Sequence, residues 1–235
     1  MTAPAEPSSA LARWSARFRA AAALTLDALP TLTADSLTRF ADELGHRRAC
    51  DRPFLAYLHG LDPGPPPPPP PPPLPLPPPR SPALPSQLAL TDDAPLWWLL
   101  HASPADASAR LDSALTPGPV AAAPALAQPT RTIEVATESE LAAVHALDLL
   151  STRLHRPDLA RRAQGAAAWL IEHIQPDNAT THPWAAHVFV RLGAEGGSAE
   201  ALLYADTLTH NAMVALGRPD RLSAHVLLSC ARALS

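Results

Sequence analysis

The stretch that decides the fold is TESELAAVHALDLLSTRLHRPD, residues 137–158. Thr137 and Glu140 have the spacing of a capping box, which predicts that a helix starts here. Apolar side chains then recur every three or four residues as far as Leu154, which is the period of one helix face. Pro157 suits the first turn of a following helix, where an N–H would have no partner. Two helices joined by a short turn are therefore expected, packed as an antiparallel helical hairpin.

The remainder of the C-terminal part continues this pattern. Further helices are predicted at 157–174, 183–192, 198–216 and from about residue 219 onward. Gly217 is expected to terminate the helix at 198–216 in a left-handed conformation. The turn LHRPD at 154–158 returns as LGRPD at 216–220. We therefore predict a C-terminal bundle of five helices at 131–235, and its pattern is compatible with a solenoid-like or toroid-like arrangement of hairpins.

Alanine dominates the composition of the 235-residue chain with 48 residues, whereas Phe, Tyr and Trp together supply 11. Because alanine loses no side-chain entropy in a helix, this composition favours an all-α protein. The 18 basic residues are all arginine and the net charge is −4, so nucleic-acid binding is not expected. No segment has the length of a membrane span or the pattern of a secretory signal, which predicts a soluble cytoplasmic protein without membrane association.

Proline divides the rest of the chain. Of the 30 prolines, 16 lie between Pro63 and Pro85, and nine of these are consecutive. Proline has no amide donor and a fixed φ, so a polyproline II linker is predicted here. The expected segments are an N-terminal helical segment at 8–60, the Pro-rich linker at 61–94, a short Trp-rich helical segment at 95–115, a second, disordered linker at 116–130 and the C-terminal bundle. Whether the N-terminal helices pack on that bundle stays open.

The richest polar stretch lies between two predicted helices of the bundle, at residues 172–187. Six side chains there are candidates for a binding pocket: His173, Asp177, Asn178, His182, Trp184 and His187. A carboxylate such as Asp177 could orient His173 as a general base. The same stretch is also typical of ordinary helix ends, because Pro176 would stop one helix and Pro183 fits the first turn of the next. Catalytic residues cannot be assigned from this pattern.

Metal and redox motifs are not evident in the sequence. Seven of the ten histidines follow residue 131, but His182 and His187 are about 140° apart on a helix and would not share a face. Cys50 and Cys230 each stand alone, so no CxxC motif exists. Cys230 fits an apolar helix face and is expected to be a small buried hydrophobe, with a long-range disulfide between the two cysteines as the open alternative. No metal and no cofactor are expected.

These observations favour a non-enzymatic protein-interaction or scaffold module of unknown pathway, with a protein partner and an undetermined oligomeric state. In this interpretation the helical layers bind the partner and the proline segment sets their separation. Trp97 and Trp98 are expected to pack on another helical layer, with contact to a partner as the alternative. The stretch Pro75–Arg80 fits the P-x-x-P-x-R pattern bound by aromatic grooves, although a spacer is the favoured interpretation of this proline run. The alternative is a small-molecule-binding protein or a hydrolytic enzyme with a polar pocket around the 172–187 loop.

Overall fold

The computed structural model describes residues 7–43, 45, 47–67, 90, 92–115, 122–127, 132–174, 176 and 180–235. Within these residues it has ten helices and no β-strand, which confirms the all-α prediction. The helices are α1 Pro7–Leu26, α2 Ala34–Thr38, α3 Asp51–His59, α4 Ala94–Leu99, α5 Pro104–Ala114, α6 Ile133–Leu154, α7 Pro157–His173, α8 Ala186–Gly196, α9 Ala199–Val214 and α10 Arg221–Ala233. None of these helices is both long enough and apolar enough to cross a bilayer. Most of the predicted polyproline II linker lies outside the described residues.

Helix α6 is the central element and is buried around most of its circumference. It begins at Ile133, four residues before Thr137, so the predicted helix start at a Thr137–Glu140 capping box was wrong. The physical reason is that Glu140 does not cap its own helix. Its carboxylate accepts hydrogen bonds from the backbone N–H groups of Ala125 and Leu126, which lie within the predicted second linker. Residues 122–127 thus include a short piece that packs on α6, with Ala125 and Leu126 buried.

The N-terminal helix packs on the C-terminal helix, which the sequence left open. α1 lies along α10, and Phe18 is fully buried in their contact region. The hydroxyl of Ser15 donates a hydrogen bond to the carbonyl of Ala231 at 2.8 Å. Both ends of the chain therefore contribute to one apolar core, while the segment boundaries proposed above stay predictions.

An aromatic group from four helices or their ends forms the middle of this core. Phe54 of α3 lies 5.1 Å from Trp97 of α4 and 5.0 Å from Trp184 before α8, measured between ring centroids. His145 of α6 lies 5.6 Å from both tryptophans. Edge-on contacts of this kind add to the stabilisation that burial provides. This group fixes α3, α4 and α8 around α6 and so positions the polar side chains described next.

Candidate functional site

Three polar side chains lie along one face of α6. Glu138, His145 and Asp148 are separated by seven and three residues, close to whole turns of a helix. His145 and Asp148 are buried, and the side chain of Glu138 is only 15% exposed. Burying a charged group is unfavourable unless it is paired, so each of these side chains requires partners from other elements. Those partners form two clusters.

The first is the Glu138 cluster, formed by Arg48, Glu138, His182 and Trp184. The Oε1 atom of Glu138 lies 2.6 Å from Nδ1 of His182, accepts a hydrogen bond from Nε1 of Trp184 at 2.9 Å and pairs with the Arg48 guanidinium. Burial alone would raise the pKa of Glu138, but His182 and Arg48 bring it below its ordinary value. Conversely, burial would lower the pKa of His182, but Glu138 holds it above its ordinary value. The cluster is an internal ion-pair network.

The second is the Asp148 cluster, formed by His145, Asp148, His187, Arg191 and Cys230. Asp148 lies 3.0 Å from Nε2 of His187, and Nη1 of Arg191 donates to both carboxylate oxygens at 2.8 Å. Burial by itself would raise the pKa of Asp148, but the hydrogen bond from His187 and the charge of Arg191 hold it well below its usual range. The other ring nitrogen of His187, Nδ1, lies 3.4 Å from Sγ of Cys230.

His145 completes the Asp148 cluster from the α6 side. Its Nε2 lies 3.0 Å from the Ser229 hydroxyl, and its Nδ1 accepts a hydrogen bond from the backbone N–H of Ala185 at 3.2 Å. Ala185 has a φ of 57°, a left-handed conformation that is unusual for a residue with a side chain. Burial lowers the pKa of His145 well below its ordinary value. The imidazole is therefore neutral at physiological pH, and its Nδ1 carries a lone pair.

Asp148, His187 and Cys230 follow the order of carboxylate, imidazole and thiol that cysteine nucleophiles use. A nucleophilic cysteine, however, must be a thiolate that a substrate can reach. Cys230 and His187 have no exposed surface, and burial raises the pKa of the Cys230 thiol to about 12. The arrangement therefore does not suit nucleophilic catalysis. It places two nitrogen donors and one sulfur donor together in the core.

A cleft of about 420 Å³ reaches the outer side of the Asp148 cluster. Its walls include Asp148, Arg191 and Ser229, together with Tyr57 and Arg232. Asp148 and Ser229 each contact one of the two buried imidazoles directly. The cleft is therefore separated from those imidazoles by a single layer of side chains.

Of the six residues predicted as a pocket, the four that the structure describes do not converge on one point. His182 and Trp184 meet at Glu138, whereas His187 belongs to the Asp148 cluster. His173 is exposed at the end of α7 and stacks on Trp169, with ring centroids 4.9 Å apart. The two remaining predicted residues, Asp177 and Asn178, lie outside the described residues.

Sequence reasoning missed the residues around which these clusters form. Glu138, His145 and Asp148 make a polar stripe at helical spacing, within a segment whose apolar face alone predicted the helix. A stripe of ionisable residues inside an alanine- and leucine-rich helix is a usable signal of a buried polar network. Cys230 was expected to be a buried hydrophobe, and both cysteines are indeed buried free thiols. Its histidine neighbours could not be inferred from the sequence.

Comparisons with protein-family models, curated proteins and solved structures found no significant match to this chain.

Proposed function

We propose that this chain is a non-enzymatic protein-interaction module that associates with a second copy of itself. The observation that carries the proposal is three large apolar side chains that are exposed near the C-terminal ends of α1 and α9: Leu24, Val214 and Leu216, with exposed fractions of 59%, 60% and 45%. Large apolar side chains grouped at the surface and surrounded by polar residues are typical of protein interfaces.

α1 packs along α10, and its C-terminal end reaches the turn that connects α9 to α10, so these three side chains lie at the same end of the molecule. Arg17 of α1 pairs with Asp206 of α9, and the hydroxyl of Thr25, one residue after Leu24, donates to the carbonyl of Pro219. Arg218 also donates to the Thr25 hydroxyl at 3.1 Å. The C-terminal end of α1 therefore lies beside the turn between α9 and α10, next to Leu216.

The charges around this surface favour a second copy as the partner. The rim has both signs, since Arg17 pairs with Asp206 and Nη1 of Arg218 lies 3.2 Å from Oε1 of Glu43. In a two-fold symmetric dimer each patch faces its own copy, so a rim that contains both arginine and carboxylate groups is self-complementary.

In this proposal the proline-rich segment is a candidate ligand sequence and not a spacer between helical layers. Helices α3 and α4, which flank it, contact each other, and Phe54 and Trp97 meet between them. A spacer is not needed to separate these two elements. We therefore retain the P-x-x-P-x-R stretch at Pro75–Arg80, which lies outside the described residues, as a candidate ligand sequence and drop the spacing role.

The alternative, a small-molecule-binding or hydrolytic site around the 172–187 loop, has weaker support. The buried side chains of His182 and Trp184 contact Glu138, and buried His187 contacts Asp148 and Cys230. The exposed His173 stacks on Trp169 of its own helix. Buried side chains with satisfied internal partners are poorly placed to contact an organic molecule that binds from solvent.

The experiment is the oligomeric state of the full chain, measured by analytical ultracentrifugation over a concentration series. We expect a dimer that the double substitution Leu24→Glu and Val214→Glu converts to a monomer, because it places charges in the apolar contact. The matched control is Ile133→Glu, at a position that is 61% exposed at the start of α6, and it should leave the dimer intact. A wild-type chain that stays monomeric at high micromolar concentration, or a dimer that the double substitution leaves unchanged, would overturn the proposal.

A further inference from the structure

We propose that His145, His187 and Cys230 bind one divalent transition-metal ion of the Zn²⁺ type in the core between α6, α8 and α10. One ligand atom from each of these three side chains lies within 4.8 Å of the other two. All three are buried, so the site would be enclosed by protein.

The donor set selects the class of metal. Two imidazole nitrogens and one thiolate suit Zn²⁺ or Co²⁺, whereas Mg²⁺ and Ca²⁺ require oxygen ligands. The Nδ1 atom of His187 and the Sγ atom of Cys230 are 3.4 Å apart. Two ligands at about 2.0 Å and 2.3 Å from a tetrahedral zinc ion lie about 3.5 Å from each other, so this pair already has the required separation. Binding would draw His145 inward by about an ångström.

The outer contacts already orient both imidazoles. A metal-binding histidine usually donates its second N–H to a carboxylate, which fixes the ring and strengthens the ligand nitrogen. Asp148 has this relation to His187, because it contacts Nε2 and leaves Nδ1 facing Cys230. Arg191 holds both oxygens of Asp148 and thereby keeps the carboxylate in place. Asp148 is in this sense a positioning residue and not a ligand.

His145 is oriented in a comparable way. Ser229 contacts its Nε2, so the nitrogen available to a metal is Nδ1, which here accepts the N–H of Ala185. Metal binding would replace this hydrogen bond and release the thiol proton of Cys230 to solvent. The cleft beside Asp148 and Ser229 supplies an approach for the ion and for a water molecule as fourth ligand.

The first test uses Co²⁺ alone as the probe, added to the full chain after dialysis against a chelator. We expect one Co²⁺ per chain and a thiolate-to-cobalt charge-transfer band in the near ultraviolet, together with intense visible bands of tetrahedral coordination. Zn²⁺ should displace the Co²⁺ and abolish these bands. Because this measurement needs only the wild-type chain, it does not depend on any variant folding. If saturating Co²⁺ gives no charge-transfer band, the proposal is wrong.

The second test compares the two buried thiols. Cys230→Ala should remove the charge-transfer band and lower Zn²⁺ affinity at least 100-fold, whereas Cys50→Ala should change neither. Cys50 is the matched control because it is 2% exposed and its thiol interacts with the carboxylates of Asp51 and Asp93. Asp148→Asn should keep the band but weaken Zn²⁺ binding about 10- to 100-fold, the usual effect of losing an outer-shell carboxylate. An equal metal content in Cys230→Ala would place the ion on other histidines and overturn the proposal.

Discussion

Gly193 allows a sharp test of how α8 and α9 approach each other. A Cβ atom added at this position would lie 2.4 Å from Cγ of Leu202, 2.5 Å from its Cδ2 and 3.0 Å from the backbone oxygen of Ser198. Gly193 lies within the helical range of α8, so alanine itself suits its backbone. Alanine at this position should therefore stabilise the helix through its higher helix propensity and destabilise the protein through its contact with Leu202.

The two effects can be separated because α8 contains a second glycine. A methyl group added at Gly196 would have no neighbouring atom within 4 Å, so Gly196→Ala should be neutral or stabilise by up to about 1 kcal/mol through helix propensity. Gly193→Ala gains the same propensity but forces Leu202 aside, which costs about 1–3 kcal/mol in a packed contact. The free energy of unfolding of the two variants should thus differ by about 1–3 kcal/mol, with Gly193→Ala the less stable.

Urea unfolding followed by circular dichroism measures this difference, and thermal midpoints should separate by about 2–4 °C per kcal/mol for a chain of this size. A double-mutant cycle adds Leu202→Ala, which removes the clashing atoms and should eliminate most of the penalty of Gly193→Ala. If Gly193→Ala proves as stable as Gly196→Ala, or if the penalty persists without the Leu202 side chain, the packing of α8 on α9 given above is wrong.

Three further substitutions probe the buried polar and aromatic groups. Burial lowers the pKa of His225 to about 3 in the folded chain. As the pH falls below the ordinary pKa of histidine, the His225 imidazole therefore binds a proton in the unfolded chain but not in the folded chain. The free energy of unfolding should therefore fall as the pH falls. Between pH 7 and pH 5 the wild type should lose about 2 kcal/mol more of it than His225→Asn does, measured by urea unfolding at each pH. Glu138→Gln should cost about 2–4 kcal/mol because it removes the carboxylate that pairs with both Arg48 and His182, and Asp220 stays 3.8 Å from His182. Asp206→Asn, in an exposed pair, should cost less than about 1 kcal/mol by the same assay. Phe54→Ala should cost about 3–5 kcal/mol, since the ring is 0% exposed between two tryptophans, and a shift in tryptophan fluorescence should accompany the loss.

Local signals were sufficient to predict the type of structure and several helix ends. α9 begins after Ser198, whose hydroxyl accepts the Ala201 N–H. It ends at Val214, two residues before the predicted end, although Gly217 has the left-handed φ of 67° expected of it. α7 starts at the predicted Pro157. Such features depend on residues within one turn of each other, so they can be inferred from neighbouring positions alone.

The prediction failed where a side chain binds a distant partner in place of a local one. Glu140 has the right spacing to cap α6, yet it binds the amides of Ala125 and Leu126, and the helix starts at Ile133. In the loop at 172–187, His182 and His187 contact different carboxylates, and one polar site there stays a prediction because Asp177 and Asn178 lie outside the described residues. In both segments the partners lie at least 14 residues away along the chain, so the local sequence pattern could not identify them.

By itself, the sequence determined that the described chain is helical, that proline interrupts it and that its cysteines stand apart. Only the tertiary structure decided which buried charges and ligands meet, because the partners are far apart along the chain: Cys230 lies 43 residues from His187, and Arg48 lies 90 residues from Glu138. Helix formation is set by short-range backbone preferences, whereas pairing a buried carboxylate requires the chain to close long loops first. For that reason the two clusters on α6 exist only in the folded protein.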